Sequence, residues 1–212
     1  MSEQGRLADL DEIHAIMCDP QKLYNYKSEQ NWMKPEYNTF VLDLPTTLLN
    51  ECVKEEMQKL YVLLSGEAVN GVQIEHIGST AIPGMPGTKN PDLLMTVDNY
   101  PPNKGVIKAL LESGFSLKEK PMKGPISKNI SCLWFIKYIS EEPLSGQFFK
   151  IHVCKSGSRT ERYLLHVKDL LLNDHHAFET YRRGKIEASK WICSDYKKYK
   201  SLKAQYLPSL SH

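Results

Sequence analysis

The run Glu75-His76-Ile77-Gly78-Ser79-Thr80-Ala81-Ile82-Pro83-Gly84 carries the chain's most chemically suggestive spacing. Gly71 to Ile77 alternates, with Val72, Ile74 and His76 on one face and Gln73, Glu75 and Ile77 on the other, which predicts a half-buried strand. That strand ends in Gly-Ser-Thr, offering backbone N–H groups and two hydroxyls where a tight turn or helix would begin. Glycine lets a phosphate approach the backbone, and both hydroxyls can donate to it, so Gly78, Ser79 and Thr80 form a candidate anion cradle. A tight turn with a structural glycine is the plainer reading, and no GxxxxGK[ST] loop is present.

A carboxylate comes next along the chain. After Gly84, Pro86 and Gly87 the chain enters the nearly continuous apolar run Asp92 to Val97, the pattern of an interior strand. An aspartate at the mouth of such a strand, beside a Gly-Ser turn, can hold a divalent cation against a nucleoside triphosphate. Lys89 can neutralise phosphate nearby. A strand-end turn or cap is the alternative role for Asp92.

A strand ending in hydrophobic-Gly-Ser, a loop of about a dozen residues and then Asp-hydrophobic resembles the nucleotidyltransferase superfamily. The fuller string EHIGSTAIPG with Asp92 is similar to the GrpB family within it. Lys150-Ile151-His152-Val153 resembles that family's hydrophobic-His strand. Glu161-Arg162, Lys168-Asp169-Leu170, His176, Tyr181 and Lys185 are similar to its helical tail. The resemblance spans roughly residues 39–190. It implies an α+β fold, a nucleotidyltransferase-like mixed β-sheet packed against helices with a C-terminal helical subdomain, and Asp92 as the catalytic and Mg²⁺-binding position.

Two departures bear on activity. The superfamily places a second carboxylate two residues after the first, on the same strand face. Here Leu94 stands there, and two-metal transfer needs carboxylates to hold its cations. The lysine before the aspartate is also displaced, in Thr88-Lys89-Asn90-Pro91. Ordinary polymerase-like catalysis is not expected. A His76/Asp92/His152 cluster could fill the gap; imidazole would suit a transition metal better than Mg²⁺, and core or loop histidines are the competing reading.

Arg162 and Lys168, at helical spacing with Glu161 and Asp169, belong to a surface salt-bridge lattice or face the cleft and grip phosphates. His175-His176 reads as a solvated helix junction. The basic run from Arg182 to Lys203 is interleaved with Trp191, Tyr196 and Tyr199, a composition that can bind RNA. Glu179, Glu187 and Asp195 dilute it, which favours a solvated helix face.

These groups need elements to position them. Residues 1–37 read as an N-terminal extension with an amphipathic piece from Leu7 to Met17 and scattered Tyr24, Tyr26 and Trp32. Residues 38–157 read as the α/β core: an edge strand over Thr39 to Leu44, then a helix capped by Thr46 or Thr47 and running to Leu64. The strands over Gly71 to Ile77 and Asp92 to Val97 come next, then a helix over Lys104 to Ser113 closed by Gly114. Further strands are predicted at Cys132 to Tyr138 and Gln147 to Cys154, joined by a turn over Glu141 to Gly146. Residues 158–212 form the helical subdomain, with a break near Asn173–Asp174.

Composition sets the bounds. The 212 residues are 41% hydrophobic and 25% charged, ordinary for a soluble globular protein. A net charge of +2 gives no strong basic field, which argues against a dedicated nucleic-acid binder. Five scattered cysteines without a CxxC point to free thiols, and the polar N-terminus lacks an apolar leader, so a cytoplasmic protein is expected. Apolar runs fall short of the ~20 residues of a membrane span. Two readings stay open. One is a module binding a nucleotide or phosphorylated small molecule without efficient catalysis; the other is an active Mg²⁺-dependent nucleotidyltransferase.

Overall fold

Leu93 to Val97 are apolar almost without interruption because the strand they build, in this computed structural model, is covered on both faces. The structure describes residues 3–19, 40–42, 46–118, 132–139 and 147–207. In chain order the elements are α1 (Glu3–Cys18), β1 (Phe40–Val41), α2 (Thr46–Gly66), β2 (Gln73–Ile77), a 3₁₀ turn (Ser79–Ala81), β3 (Gly87–Thr88) and β4 (Asp92–Val97). They continue with α3 (Lys104–Glu112), β5 (Ser116–Leu117), β6 (Cys132–Tyr138), β7 (Phe148–Lys155), α4 (Arg159–Asn173), α5 (His175–Ser189) and α6 (Tyr196–Gln205). This is the mixed α+β architecture expected.

Five strands form one sheet in the order β2-β4-β7-β6-β5. Only the central β4–β7 pair is parallel, with Asp92 opposite Lys150 and Leu94 opposite His152. The others are antiparallel. Period-2 alternation then sorts the side chains. Ile74, Leu93, Met95, Ile151, Val153, Leu133 and Phe135 enter the main core with Val53 and Leu60 of α2 and Val106 and Leu110 of α3. Leu10 and Met17 of α1 join the same core. Each such side chain, fully buried, contributes about 1.5–3 kcal/mol. On the other face Ile77, Leu94 and Cys154 pack under Leu164 and Leu165 of α4.

β2 therefore buries one residue on each face, Ile74 and Ile77, instead of presenting a single apolar side. Short β1 pairs with β3, an element hidden in a loop whose Gly/Pro content masked it. Two-residue β5 likewise has too little pattern to be read. Of the expected edge strand, Phe40 and Val41 form β1, while residues 39 and 43–45 lie outside the described residues, as do Tyr24, Tyr26, Trp32, the side chain of Thr46 and the turn at 141–146.

Local chemistry sets the helix limits. Asn103 Oδ1 accepts from Val106 N at 3.0 Å to start α3, and Gly114 follows its end with φ +89°. Ser158 Oγ accepts from Glu161 N at 3.2 Å and starts α4. Asp174 ends α4 and starts α5, its Oδ1 accepting from His176 N at 2.8 Å and Ala177 N at 3.0 Å. His175 and His176 are exposed at that junction. Among the described residues no helix is long and apolar enough to cross a membrane.

Candidate functional site

Three stretches converge at the N-terminal end of β4: the turn after β2, the start of β4 and the start of β7. Gly78 joins the first two. Its φ of +73° is a backbone that side chains disfavour, and an added Cβ would stand 2.9 Å from Asp92 Oδ2. The Gly-Ser turn thus lies directly against the aspartate. Thr80 is buried, and its Oγ1 pairs with His76 Nε2 at 2.9 Å, so this hydroxyl serves the turn's own geometry.

Asp92 has two nitrogen partners on β7, the Lys150 ammonium and the His152 imidazole. Lys150 Nζ lies 2.5 Å from Oδ1, and His152 Nε2 lies 3.3 Å from the same oxygen. Burial pushes the Asp92 carboxyl up, but the Lys150 charge and the His152 hydrogen bond outweigh it and hold the group well below the usual carboxylate range. In return the Lys150 and His152 pKa values rise, despite burial that opposes charge on both. Trp134 sets its edge against His152 at 5.6 Å, and Cys132 Sγ lies 4.0 Å from His152 Nδ1.

The helical subdomain walls this end of the sheet. Ile82 and Met85, just after the Gly-Ser turn, pack with Leu171 of α4 and Tyr181 of α5. One turn beyond Tyr181 on the same helix face stands Lys185, 2% exposed. A Cβ added to Gly87 would meet Lys185 Nζ at 2.7 Å and Ser79 Oγ at 3.0 Å, so ammonium and hydroxyl converge over Gly87. Burial and the charge of Lys203 push the Lys185 pKa well down, and Asp92 offsets this only in part. Lys203 is lowered by burial and by Lys150. Among the described residues neither Lys185 nor Lys203 has a carboxylate partner.

The other sequence candidates fall elsewhere. Lys168 Nζ pairs with Glu75 on β2 at 2.6 Å, tying α4 to the sheet edge. Arg162 Nη1 donates to Gly157 O at 2.7 Å, and Gly157 N donates to Glu161 Oε2. Gly157 follows the C-terminal end of β7, so Arg162 sits at the opposite end of the parallel pair from Asp92. Instead of an i,i+4 lattice, these residues close the entrance to α4. Lys89 is half-buried at the approach to β4, while Asn90 Oδ1 accepts from Phe148 N at 3.1 Å and fixes the start of β7.

The three-residue metal cluster is not assembled. His76 pairs with Leu93 across β2–β4, whereas His152 pairs with Leu94, so alternation puts the two imidazoles on opposite faces. Burial lowers the His76 pKa to about 4. Among the described residues no group of three His, Cys, Asp or Glu side chains could hold a metal ion. The aromatics of the basic tail are engaged internally: Tyr196 stacks on Tyr199 at 5.6 Å, and Lys198 Nζ lies 3.2 Å over the Trp191 ring. A cavity of about 440 Å³ lined by Gln58, Leu63 and Lys137 is built from α2, α3 and β6, away from Asp92.

The sequence pattern alone assigns no role to Lys150 or Lys185, although both stand inside its motifs. The signal available is a lysine two residues before His152 in an otherwise apolar strand, and one a helical turn after Tyr181. Neither spacing tells which face the side chain occupies until the register is known.

Residues 47–211 match the family described as GrpB protein. The conserved protein GrpB from Enterococcus faecalis is similar in structure, with a TM-score of 0.56 and 18% identity, covering 79% of this chain and 96% of that one. Two crystal structures of the Cid1 poly(U) polymerase, one bound to MgATP and one to MgGTP, align at TM-scores of 0.32 and 0.30, each with 11% identity over 66% of this chain and 48% of theirs. No curated protein matches the sequence.

Proposed function

The chain belongs to the GrpB family, and from that premise we propose that it binds a nucleotide or another phosphorylated small molecule at the Gly-Ser/Asp92 end of the sheet, without efficient nucleotidyl transfer. One observation carries the reading. Lys185 stands buried and Lys203 half-buried at this end without a carboxylate partner among the described residues, while the nearby acid, Asp92, is already engaged by Lys150 and His152. Buried unpaired ammonium groups are costly, and a phosphate dianion relieves that cost for both at once. Ser79 Oγ, beside Lys185 over Gly87, supplies a donor, while the space over Gly78 is held by Asp92 Oδ2. Lys89 lies on the approach. Thr80 acts through the turn. Lys168 and Arg162, bonded elsewhere, contribute at most long-range charge.

The donor set does not fit a protein-held magnesium pair. Leu94 occupies the second carboxylate position inside an apolar cluster with Ile77 and Cys154, and Asp92 Oδ1 is taken. A single carboxylate leaves most of a cation's positions to water and phosphate oxygens. Mg²⁺ dependence therefore comes mainly from the ligand's own needs. The alternative, an active Mg²⁺-dependent nucleotidyltransferase, draws support from Oδ2 of Asp92, which faces the Gly-Ser turn.

Calorimetry with the four ribonucleoside triphosphates and inorganic tripolyphosphate, with Mg²⁺ and with chelator, tests the proposal. Binding in both conditions, lost in Lys185→Met, supports it. No binding of any phosphorylated probe overturns it. Pyrophosphate release by the natural sequence, abolished in Asp92→Asn, would establish the alternative.

A further inference from the structure

Cys132 and Cys154 stand directly opposite one another on antiparallel β6 and β7. Ile139 N donates to Gln147 O at 2.9 Å, which makes that rung a hydrogen-bonded pair. Pairs alternate along the ladder, so Cys132 and Cys154, an odd number of rungs away, form a non-hydrogen-bonded pair with Cα atoms about 4.5 Å apart. Disulfides span Cα separations of roughly 4.4–6.8 Å, so this rung accepts the crosslink without moving either strand. Opposed residues of one rung point to the same face, so the register sets the two thiols side by side on the face that packs under α4. Both are free thiols, Cys132 half-buried and Cys154 buried. His152, two residues before Cys154 on the same face, brings its Nδ1 to 4.0 Å from Cys132 Sγ.

We propose that Cys132 and Cys154 form a two-thiol oxidation site, with Cys132 the attacking sulfur and Cys154 the resolving one, taking a hydroperoxide as oxidant. The asymmetry of exposure sets the order. Cys132 reaches the reagent, and Cys154 is sheltered behind it. Cys132 sulfur, as thiolate, attacks the distal peroxide oxygen: an S–O bond forms, the O–O bond breaks, and the departing oxygen takes up a proton as water or an alcohol. Cys154 sulfur then attacks the sulfenic acid. The S–S bond forms, the S–O bond breaks, and water leaves with the Cys154 proton. The two thiols lose two electrons and the hydroperoxide gains them. This site stands independently of the phosphate-binding proposal, because it uses neither the Gly-Ser turn nor Lys185.

The experiment treats the native full chain with hydrogen peroxide, alkylates remaining thiols with iodoacetamide and maps the peptides by mass spectrometry. The expected product links the Cys132 and Cys154 peptides, is reversed by dithiothreitol, and leaves Cys18, Cys52 and Cys193 alkylated. Native labelling of Cys132 should fall about tenfold or more after oxidation, since a disulfide sulfur no longer alkylates. In Cys154→Ser, dimedone should trap a sulfenic acid on Cys132. In Cys132→Ala, Cys154 should stay reduced. Linkage through Cys18, Cys52 or Cys193 instead, undiminished Cys132 labelling, or oxidation of Cys154 in Cys132→Ala at the natural rate would each overturn the proposal. The first readout needs no variant, so a misfolded substitution cannot shield it.

Discussion

Lys150 Nζ lies 2.5 Å from Asp92 Oδ1, across one rung of the parallel β4–β7 pair. The cation that Asp92 holds is thus part of the fold. A hydrogen-bonded ammonium on a carboxylate oxygen competes with any divalent ion for it, and two cations cannot share that oxygen closely. Nucleotide affinity in the natural protein should therefore change by no more than about threefold between Mg²⁺ and chelator, well under 1 kcal/mol. Lys150→Met leaves Oδ1 to His152 alone and should widen the ratio. Calorimetry in the two buffers measures both, and a large natural Mg²⁺ effect that Lys150→Met leaves unchanged would contradict this view of the pair.

Gly78 couples backbone and site. Its φ of +73° disfavours any side chain, and a Cβ would press on Asp92 Oδ2 at 2.9 Å. Gly78→Val should cost about 1–3 kcal/mol from backbone strain alone, with contact strain in addition. Sequence logic anticipates lost binding in a variant that still folds. The geometry predicts lost binding and lost stability together, read by urea unfolding and by ligand titration. Ser79→Ala separates them: it should weaken phosphate binding while leaving stability within about 0.5 kcal/mol.

Period and punctuation made much of the fold legible. The apolar run after Asp92, the helical spacing of Leu49, Val53, Leu60 and Leu64, and Gly114 after α3 all report local physics that the tertiary structure keeps. Register was not legible. Whether His76 joins His152 depends on which strands pair and in what phase, and a strand's own alternation cannot say. The same gap hid Lys150 beside Asp92. For Arg162 and Lys168, helical spacing was right but the rotation of α4 was unknown, and that rotation spends Lys168 on Glu75 and Arg162 on the Gly157 carbonyl. Lys168→Met should consequently reduce ligand affinity far less than Lys185→Met does.

His76 gives the fold a pH dependence of calculable sign. Burial lowers its pKa to about 4 from 6.5. The unfolded chain therefore binds a proton at a pH where the folded imidazole does not. The stability tied to neutral His76 is fully present above 6.5 and is lost as pH falls toward 4, by up to about 3 kcal/mol. His152 has the opposite sign, because its folded pKa is raised; its contribution is full at low pH and fades as pH rises through the raised value. The comparison that isolates His76 is the natural protein against His76→Gln in urea, across the window from 6.5 to 4. The variant should lose the downward slope, and an identical slope would assign the dependence to other groups.

Lys185 is where stability and function should part. Its ammonium is buried beside Tyr181, Lys203 repels it, and it has no carboxylate partner among the described residues. Such a charge destabilises the ligand-free fold, and under the proposed function a bound phosphate offsets that cost. Lys185→Met keeps the unbranched stem and removes the charge, so packing against Tyr181 survives. The variant should be more stable than the natural protein by about 1–3 kcal/mol. It should also bind phosphorylated probes at least about tenfold more weakly, the minimum for losing a charge-assisted hydrogen bond to phosphate. The sign of the stability change decides the matter. A lysine whose role is structural would lower stability on removal and leave affinity alone; one that grips an anion raises stability and loses the ligand. Thermal unfolding with and without tripolyphosphate reads both in one experiment, because a ligand bound to the folded state lifts the midpoint only while the site can hold it. The natural protein should gain on adding tripolyphosphate, and Lys185→Met should start higher and gain clearly less.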